Sequence, residues 1–308
     1  MGKYYGKKRR HDIKPTFGLV INPESENYSD KDMDLLIGYI AKSRANWHVI
    51  KTSHPKDTVY QIRKLLQRRP VGVIACGGDR TVNLVARNLI RRTSALGIYP
   101  LGKFNNIYRS LYGEVELDLA AKHIISSKNE KIDYGLVGGR FFLGSIGLGF
   151  MPVLFETLKA RNMPRFGIGW SRLASQTAAE VKSKKVTITI DEFQFDVSPT
   201  IFNVNLLPYT IGLPLTNMSI NDDGLAEIIF DPETGKAVMS GFIRKISKGK
   251  YIYTDEVRMY RGKKIMVTDV KGDLFYLDGD IIRNEKQDLE IEIFPAKIRI
   301  LKSMGEEE

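Results

Sequence analysis

Two short glycine turns contain the residues of this sequence best suited to binding phosphate. The first glycine turn, residues 76–83, reads Cys-Gly-Gly-Asp-Arg-Thr-Val-Asn, and the second, residues 100–106, reads Pro-Leu-Gly-Lys-Phe-Asn-Asn. Each follows an apolar run and precedes an amphipathic one, as expected where a buried strand is followed by a helix. Glycine lets the backbone approach a phosphate closely, and a helix N-terminus adds N–H donors and a positive dipole end. The turns therefore predict a site for a phosphate-bearing ligand.

Charged residues within these turns refine the prediction. Asp79 would repel phosphate unless a divalent cation lay between them, so it indicates a Mg²⁺-bound nucleotide. Arg80 and Lys103 add a positive charge to each turn. Taken alone, the first turn is also explained by an ordinary strand-to-helix junction with Asp79 as the N-cap. A second turn of the same kind, next along the predicted sheet, favours phosphate binding.

The elements that would position these turns alternate between short strands and amphipathic helices. Strands are predicted at residues 17–21, 47–50, 71–75 and 96–99. The helices between them carry apolar stripes, and the second is expected to begin at an Asp57 cap. The stripes are Leu35, Leu36, Tyr39 and Ile40; Val59, Ile62, Leu65 and Leu66; and Val82, Val85, Ala86, Leu89 and Ile90. Short connections of this kind predict a doubly wound parallel sheet.

The pattern changes after about residue 134. Strands are predicted at residues 186–190, 201–206, 226–230, 264–267, 273–277 and 289–294, with few helices between them. This favours a second, β-sandwich-like domain. The predicted fold class is thus α/β, with an N-terminal doubly wound parallel sheet and a C-terminal β-sandwich-like domain. The predicted organisation is a flexible basic tail over 1–15, an α/β domain over 16–133 and a β-rich domain over 134–303, whose last strand is allowed to return to the first domain.

Composition excludes several classes of protein. With 43% apolar and 27% charged residues, the chain is typical of a globular protein. The lone Cys76 excludes a disulfide framework and a cysteine-rich zinc site, and favours a reducing cytoplasm. Four scattered histidines lack metal-ligand spacing, and no apolar run is long enough to span a membrane.

The formal net charge of +11 is compatible with nucleic acid, an anionic membrane surface or anionic small molecules as partners. No nucleic-acid-reading motif is present, so no nucleic-acid partner is predicted. The basic segment from Lys3 to Arg10 is either a solvated arm or an anchor at a membrane surface. The basic amphipathic stretch from Pro164 to Lys185 either rests on anionic lipid or is a solvated surface or dimer helix. Its characteristic residues are Arg165, Trp170, Arg172, Lys182, Lys184 and Lys185.

Six motifs in order resemble the diacylglycerol kinase catalytic family, which includes bacterial lipid kinases and the sphingosine and ceramide kinases. The resemblance covers about residues 17 to 303. The motifs are Asn22-Pro23-x-Ser25, Gly77-Gly78-Asp79-x-Thr81-Val82-Asn83, Pro100-Leu101-Gly102-x-x-Asn105 with Arg109-Ser110-Leu111, Gly147-Leu148-Gly149-Phe150, Asp223-Gly224-Leu225 and Asp278-Gly279-Asp280. The resemblance implies the fold of diacylglycerol kinase and NAD kinase, with ATP and Mg²⁺ as cofactors, a lipid substrate and a role in phospholipid metabolism.

The resemblance also implies roles for individual residues. Asp280 takes the place of the general base, and Asp79 organises Mg²⁺ and the phosphates. The nucleotide site would comprise Asn22, Thr52, Gly77, Gly78, Asp79, Thr81, Asn83, Gly102 and Asn105, and Arg80 and Lys103 are added to it because of their charge. Asp223, with the backbone carbonyls of Ile220 and Leu225, matches a structural Mg²⁺ site, although a plain β-turn also explains Asp223-Gly224. A cytoplasmic location, peripheral at the inner membrane face, is expected, and a homodimer is compatible with the resemblance.

Several residues depart from the family pattern. Arg80 replaces a usual glycine, Lys103, Phe104 and Asn106 alter the second glycine turn, and Glu26 also replaces a common glycine. An active lipid kinase in which Arg80 and Lys103 neutralise phosphates is one explanation. The alternative is a catalytically impaired regulator that binds a nucleotide or lipid on the same fold. NAD kinase is a further alternative, which the second glycine turn and Asp278-Gly279-Asp280 disfavour.

Overall fold

The structure is a computed structural model that describes residues 14–52, 54–126, 128–161, 168–216, 219–232 and 257–303, together with residues 241 and 245. Residues 1–13 of the predicted basic tail, and Pro164 and Arg165 of the basic amphipathic stretch, lie outside the described residues.

The first part of the chain alternates between strands and helices. Strands β1 to β4 pair in parallel in the order β2-β1-β3-β4. The elements are β1 (Thr16–Ile21), α1 (Asp30–Lys42), β2 (Asn46–Lys51), α2 (Pro55–Leu66), β3 (Gly72–Gly77), α3 (Asp79–Ala86), β4 (Ala95–Pro100), α4 (Asn106–Tyr112) and α5 (Leu117–Ile125). Strands β3 and β4 are buried along their whole length, which explains their unbroken apolar sequences.

The helix predictions hold in outline but need three corrections. Helix α2 begins earlier than expected, because His54 is the N-cap and its side chain accepts a hydrogen bond from the Lys56 N–H, while Asp57 lies in the first turn. On α1, Leu35 is exposed and the buried face includes Met33 instead. Helix α3 ends at Ala86, before the last two residues of the predicted stripe.

The second part of the chain is mainly β. Its elements are β5 (Asn129–Val137), β6 (Arg140–Phe142), β7 (Ser145–Gly149), α6 (Phe150–Ala160), α7 (Ile168–Glu180), β8 (Val186–Ile190), β9 (Phe193–Val197), β10 (Ile201–Asn205), β11 (Tyr209–Thr210), β12 (Leu213–Pro214), β13 (Ala226–Phe230), β14 (Arg258–Gly262), β15 (Lys264–Val267), β16 (Leu274–Leu277), β17 (Asp280–Arg283) and β18 (Leu289–Leu301). Among the described residues, β14-β13-β10-β7-β16-β17 form a six-stranded antiparallel sheet. The predicted fold class, a doubly wound parallel α/β sheet followed by a β-sandwich-like part, is confirmed, with a parallel-rich sheet and additional antiparallel sheets.

The last strand connects the two parts of the chain. Strand β18 pairs antiparallel with β5 over residues 291–294 and 298–301 and with β15 over residues 289–292, and Ile300 near its end pairs in parallel with Leu96 of β4. The described part of the first sheet therefore continues from β4 through β18 to β15, β8 and β9. The predicted boundary at Asp133 falls inside β5, and the division at that residue stays a prediction.

Candidate active site

The carboxyl ends of four parallel strands bring the predicted nucleotide residues to one edge of the sheet. Asn22 follows β1, Thr52 follows β2, and the two glycine turns follow β3 and β4. The Thr52 hydroxyl lies 3.4 Å from the Asn22 side-chain oxygen. Because β2 and β3 flank β1 on opposite sides, the sheet order reverses here, and such a point in an open α/β sheet is where ligands bind.

The two glycine turns pack directly against each other. A Cβ atom on Gly102 would lie only 2.3 Å from the Cα of Gly78, so no larger residue fits without moving a backbone. Asn105 braces the second glycine turn, because its side chain accepts a 2.8 Å hydrogen bond from the Gly102 N–H and donates one to the Gly102 carbonyl. Its backbone is left-handed, with φ of 50°, and its side chain is buried. Asn105 therefore shapes the turn rather than projecting from it.

Two hydroxyls lie beside Gly77 at the start of α3. A Cβ atom on Gly77 would lie 2.4 Å from the Thr81 hydroxyl oxygen and 3.1 Å from the Ser25 hydroxyl oxygen. The Ser25 oxygen is buried and has no hydrogen-bond partner among the described residues. Helix α3 has Gly78 as its N-cap, which supplies no side-chain acceptor to the first turn. Ser25 was absent from the predicted site, although it belongs to the motif Asn22-Pro23-x-Ser25.

Asp79 faces the second glycine turn instead of the solvent. One carboxylate oxygen accepts the backbone N–H of Ile107 at 2.9 Å, and the other accepts the backbone and side-chain N–H groups of Asn106 at 3.0 and 2.9 Å. Burial raises the pKa of Asp79 to about 6 against the lowering effect of these donors, and the charge of Asp278 adds to the rise. This carboxylate binds the first turn of α4, so the geometry favours a positioning role.

Asn106 links this contact to the second part of the chain. Its side-chain oxygen accepts the Gly212 N–H at 2.8 Å, in the β11–β12 hairpin. Its amide nitrogen, which donates to Asp79, also lies 3.5 Å from the Tyr276 hydroxyl on β16. An aspartate at this position would place two carboxylates in direct contact inside the protein, where like charges are strongly unfavourable. Asparagine avoids this repulsion, because its amide nitrogen donates a hydrogen bond to the Asp79 carboxylate.

Asp278 is a buried organising residue that the predicted site also missed. Its carboxylate accepts the backbone N–H groups of Leu143, Gly144 and Ser145 at 2.7 to 3.0 Å. The Asn83 side chain donates to it at 2.9 Å, so Asn83 points toward this contact. Burial raises the pKa of Asp278, against these donors. The sequence feature that could have identified Asp278 is its position as the first residue of the motif Asp278-Gly279-Asp280.

Asp280 is the exposed carboxylate of this cluster. Its side chain is 46% exposed, whereas Asp79 and Asp278 are buried. The Arg80 guanidinium lies 3.6 Å from the Asp280 carboxylate, with the Arg80 side chain 70% exposed. A Cβ atom on Gly279 would lie 3.4 Å from the Arg80 backbone nitrogen. The Asp-Gly-Asp turn, residues 278–280, therefore packs against the first glycine turn and brings Asp280 to its edge.

The added cation of the second glycine turn also has an acidic partner. The Lys103 ammonium lies 3.5 Å from the carboxylate of Glu26. Both residues are departures from the family pattern, and their opposite charges offset each other. Phe104 packs beside Phe155 of α6, with ring centroids 6.2 Å apart. The altered second turn is thus fitted to its surroundings in both charge and shape.

The predicted structural Mg²⁺ site does not have a cation-binding arrangement. One carboxylate oxygen of Asp223 accepts the Leu225 N–H at 3.1 Å, and the other pairs with the Arg261 guanidinium. The other two predicted ligands are the backbone carbonyls of Ile220 and Leu225 in the same loop. Among the described residues, no group of three or more His, Cys, Asp or Glu side chains is arranged to hold a metal ion. Because both oxygens of Asp223 already face donors of the protein itself, the one carboxylate of the predicted set offers no free oxygen to a divalent cation.

The predicted membrane stretch packs its apolar side against the protein. Trp170 and Leu173 of α7 are buried in a cluster with Leu154 and Leu158 of α6. Arg172 and Lys182 are exposed, and the Lys184 ammonium lies 3.4 Å from the Asp273 carboxylate. A basic exposed face remains, and its contact with anionic lipid stays a prediction. Each helix among the described residues is too short or too polar to span a lipid bilayer.

Comparisons with known proteins agree with this architecture. Residues 16–137 match the family model of the diacylglycerol kinase catalytic domain. A diacylglycerol kinase of Staphylococcus saprophyticus is 22% identical over 268 residues, which are 85% of this chain and 88% of that protein. One from Staphylococcus aureus is 21% identical and covers 85% of each chain.

The fold is similar to that of solved structures as well. A crystal structure of a diacylglycerol kinase from Bacillus anthracis superposes with a TM-score of 0.73 at 17% identity, covering 96% of this chain and 98% of that chain. The predicted resemblance is thereby confirmed, with the diacylglycerol kinase catalytic domain matched over residues 16–137 and the fold of bacterial diacylglycerol kinases over nearly the whole chain.

Proposed function

We propose that this protein is an ATP-dependent lipid kinase that phosphorylates a hydroxyl group of diacylglycerol or a related lipid. The family match and the names of the relatives support a lipid kinase role. One observation carries the assignment of the base. Of the three clustered carboxylates, Asp79 and Asp278 are buried and occupied by N–H donors, whereas Asp280 is half exposed beside the first glycine turn.

The phosphates of ATP would lie over the first glycine turn. Gly77 and Gly78 leave room for close approach, and the N-terminus of α3 provides backbone N–H groups and a positive dipole end. The Ser25 hydroxyl, buried without a partner among the described residues, would donate to a phosphate oxygen. Mg²⁺ would enter as part of the substrate MgATP and offset the phosphate charge.

Phosphoryl transfer needs an acceptor for the proton of the lipid hydroxyl. The hydroxyl oxygen would attack the γ-phosphorus, its proton would pass to the Asp280 carboxylate, and the bond to the β-phosphate oxygen would break to release ADP. Arg80, beside Asp280, would stabilise negative charge on the transferring group. Asp79 would act indirectly, by fixing the two glycine turns through the start of α4.

The acceptor lipid would reach this site from a membrane surface. We propose a cytoplasmic protein, peripheral at the inner membrane face, with the exposed basic residues of the Pro164 to Lys185 stretch contacting anionic lipid. The described apolar side of α7 is already packed against α6, so electrostatic attraction would dominate this contact.

A nucleotide- or lipid-binding regulator is a second candidate. Arg80 pairs with Asp280, and Asn106 stands where the family has a carboxylate. Both features would lower catalytic power while leaving the phosphate-binding turn intact. Under this alternative, the protein would bind ATP and transfer no phosphate.

The deciding experiment is transfer of labelled phosphate from ATP to mixed membrane lipids. We expect labelled lipid with wild type and a loss of at least about a hundredfold with Asp280→Asn, because general bases contribute factors of this size. Glu285→Gln, which neutralises an exposed carboxylate just after β17, is the matched control and should retain activity. Equal transfer by wild type and Asp280→Asn would remove Asp280 as the base. ATP binding without transfer over a broad lipid panel would favour the regulator, and transfer to NAD would favour NAD kinase.

A further inference from the structure

The loop of residues 219–225, the acidic loop, is tied to two strands by one buried carboxylate. Asp133 on β5 accepts the N–H of Gly224 at 2.7 Å and the N–H of Ala296 on β18 at 2.5 Å. The Asp133 N–H in turn donates to the carbonyl of Asn221 at 2.7 Å. Gly224 has a φ of 78° and packs on Pro295. The path of the acidic loop is therefore fixed by the carboxylate and backbone N–H of Asp133 on β5 and by packing against Pro295 on β18.

This arrangement concentrates negative charge. Asp133 is 2% exposed, and its pKa is raised mainly by burial, against its two N–H donors, and further by the charges of Asp222 and Asp223. Glu227, at the start of β13, is also buried and accepts a 2.8 Å hydrogen bond from Ser219. Several carboxylates at one loop repel one another unless a cation lies among them.

Arg261 supplies a positive charge at this place. It lies on β14 directly opposite Glu227 in the antiparallel register. Its guanidinium pairs with the Asp223 carboxylate, and the two side chains are 39% and 25% exposed. The other Asp223 oxygen accepts the Leu225 N–H. Both oxygens of Asp223 thus have donors from the protein itself.

We propose that the Arg261 guanidinium takes the place of a divalent cation at the acidic loop, so that this part of the protein needs no metal. A guanidinium presents several N–H donors in a fixed plane and stays charged at all working pH values. It can therefore neutralise Asp223 as a metal would. This proposal concerns folding of the second part of the chain and does not depend on the proposed kinase activity.

Thermal unfolding of the nucleotide-free protein tests the proposal. Wild type is expected to show the same Tm in EDTA and in millimolar Mg²⁺ or Mn²⁺. Arg261→Gln should lower the Tm in EDTA by about 2–4 °C, the shift typical of losing one modest interaction in a protein of this size. Millimolar Mg²⁺ or Mn²⁺ should restore part of that loss, because removing the guanidinium leaves the carboxylates open to a cation.

Matched variants make the result specific. Arg258→Gln, on the same strand, removes an equal charge at an exposed position away from Asp223. The Tm of this variant should not change when Mg²⁺ or Mn²⁺ is added. Asp223→Asn combined with Arg261→Gln should abolish the metal response. If Arg261→Gln does not fold, the Tm of wild type measured at increasing Mn²⁺ concentration still tests the proposal. The proposal predicts that wild type has no metal binding that depends on Asp223. A saturable rise of the wild-type Tm with Mg²⁺ or Mn²⁺, lost in Asp223→Asn, would overturn the proposal.

Discussion

Arg80 and Asp280 form an ion pair with a separation of 3.6 Å at the edge of the candidate active site. Arg80 belongs to the turn after β3, and Asp280 begins β17 of the other sheet. The Arg80 side chain is 70% exposed, so the pair is well solvated. Exposed pairs of this kind contribute only about 0–1 kcal/mol, and a phosphate group would therefore compete readily for the arginine. The pair is compatible with both an active kinase and a regulator.

Replacing Arg80 distinguishes binding from folding. Arg80→Gly restores the usual family residue and should weaken ATP binding about tenfold, because a charge-assisted contact to phosphate is lost. The free energy of unfolding should fall by no more than about 2 kcal/mol, because the exposed ion pair contributes about 0–1 kcal/mol and glycine is a poorer helix former at this position of α3. Binding of a fluorescent ATP analogue, with and without Mg²⁺, and urea unfolding measure the two effects. Arg80→Lys keeps the charge and should retain most of the affinity. Unchanged affinity in Arg80→Gly would show that Arg80 does not contact phosphate.

Asp79 should make stability depend on pH. Its folded pKa of about 6 lies above the ordinary value of 3.8, so the folded protein holds an extra proton between these pH values. The associated stabilisation is fully present below about pH 4 and is lost as the pH rises through 6, with an upper size of about 3 kcal/mol.

Urea unfolding at about pH 4.5 and about pH 7, on either side of the folded pKa, measures the effect. The wild-type free energy of unfolding should fall between them by more than that of Asp79→Asn. Asp34→Asn removes an exposed carboxylate from α1 and should follow wild type. Parallel pH profiles for wild type and Asp79→Asn would contradict the prediction.

Asn106→Asp should be destabilising in a pH-dependent manner. The new carboxylate would face Asp79, which now lies 2.9 Å from the Asn106 amide nitrogen. Above the pKa values of this pair, the protein would bury two like charges, at a cost of about 3–5 kcal/mol. At lower pH one carboxyl keeps its proton and the loss should shrink. The free energy of unfolding of Asn106→Asp, measured by urea below and above neutral pH, tests this pH dependence. Asn88→Asp, at a half-buried position of the same region, is the control. An equal loss at both pH values would argue against the buried contact.

Gly102→Ala tests the contact between the two glycine turns. The added methyl group would lie 2.3 Å from the Cα of Gly78, so one backbone must move. We expect a loss of about 1–3 kcal/mol in unfolding free energy and weaker ATP-analogue binding. Gly38→Ala is the matched control, because nothing lies within 4 Å of its Cβ position on α1. That variant should gain up to about 1 kcal/mol through helix propensity. Equal behaviour of the two variants would show that the turns are not in tight contact.

Local sequence patterns predicted much of the fold. The apolar runs of β1, β3 and β4 are recognisable because central parallel strands are buried on both faces. The glycines at the ends of β3 and β4 indicated the two turns, because glycine next to an apolar run is also a local pattern. Helix starts were harder to predict. The capping role of His54 depends on the conformation of one residue before Pro55, which the stripe of apolar positions does not encode.

Long-range partners explain what the sequence could not predict about the site. Asp79 was expected to face Mg²⁺, but its carboxylate binds N–H groups 27 and 28 residues further along the chain. Asp278 was recognised only as part of a motif, and its donors Leu143 and Ser145 lie 135 and 133 residues earlier. No local periodicity contains such pairings, since they exist only once strands and turns that are remote in sequence have come together in the fold.

The sequence by itself therefore determined the order of strands and helices, the glycine turns at strand ends and the resemblance to diacylglycerol kinases. Short-range sterics and burial dictate these features, and both are written in neighbouring residues. Only the tertiary structure decided which charges meet. It paired Arg80 with Asp280, Lys103 with Glu26 and Arg261 with Asp223. The strength of a charge contact depends on distance and burial, and packing of remote segments sets both.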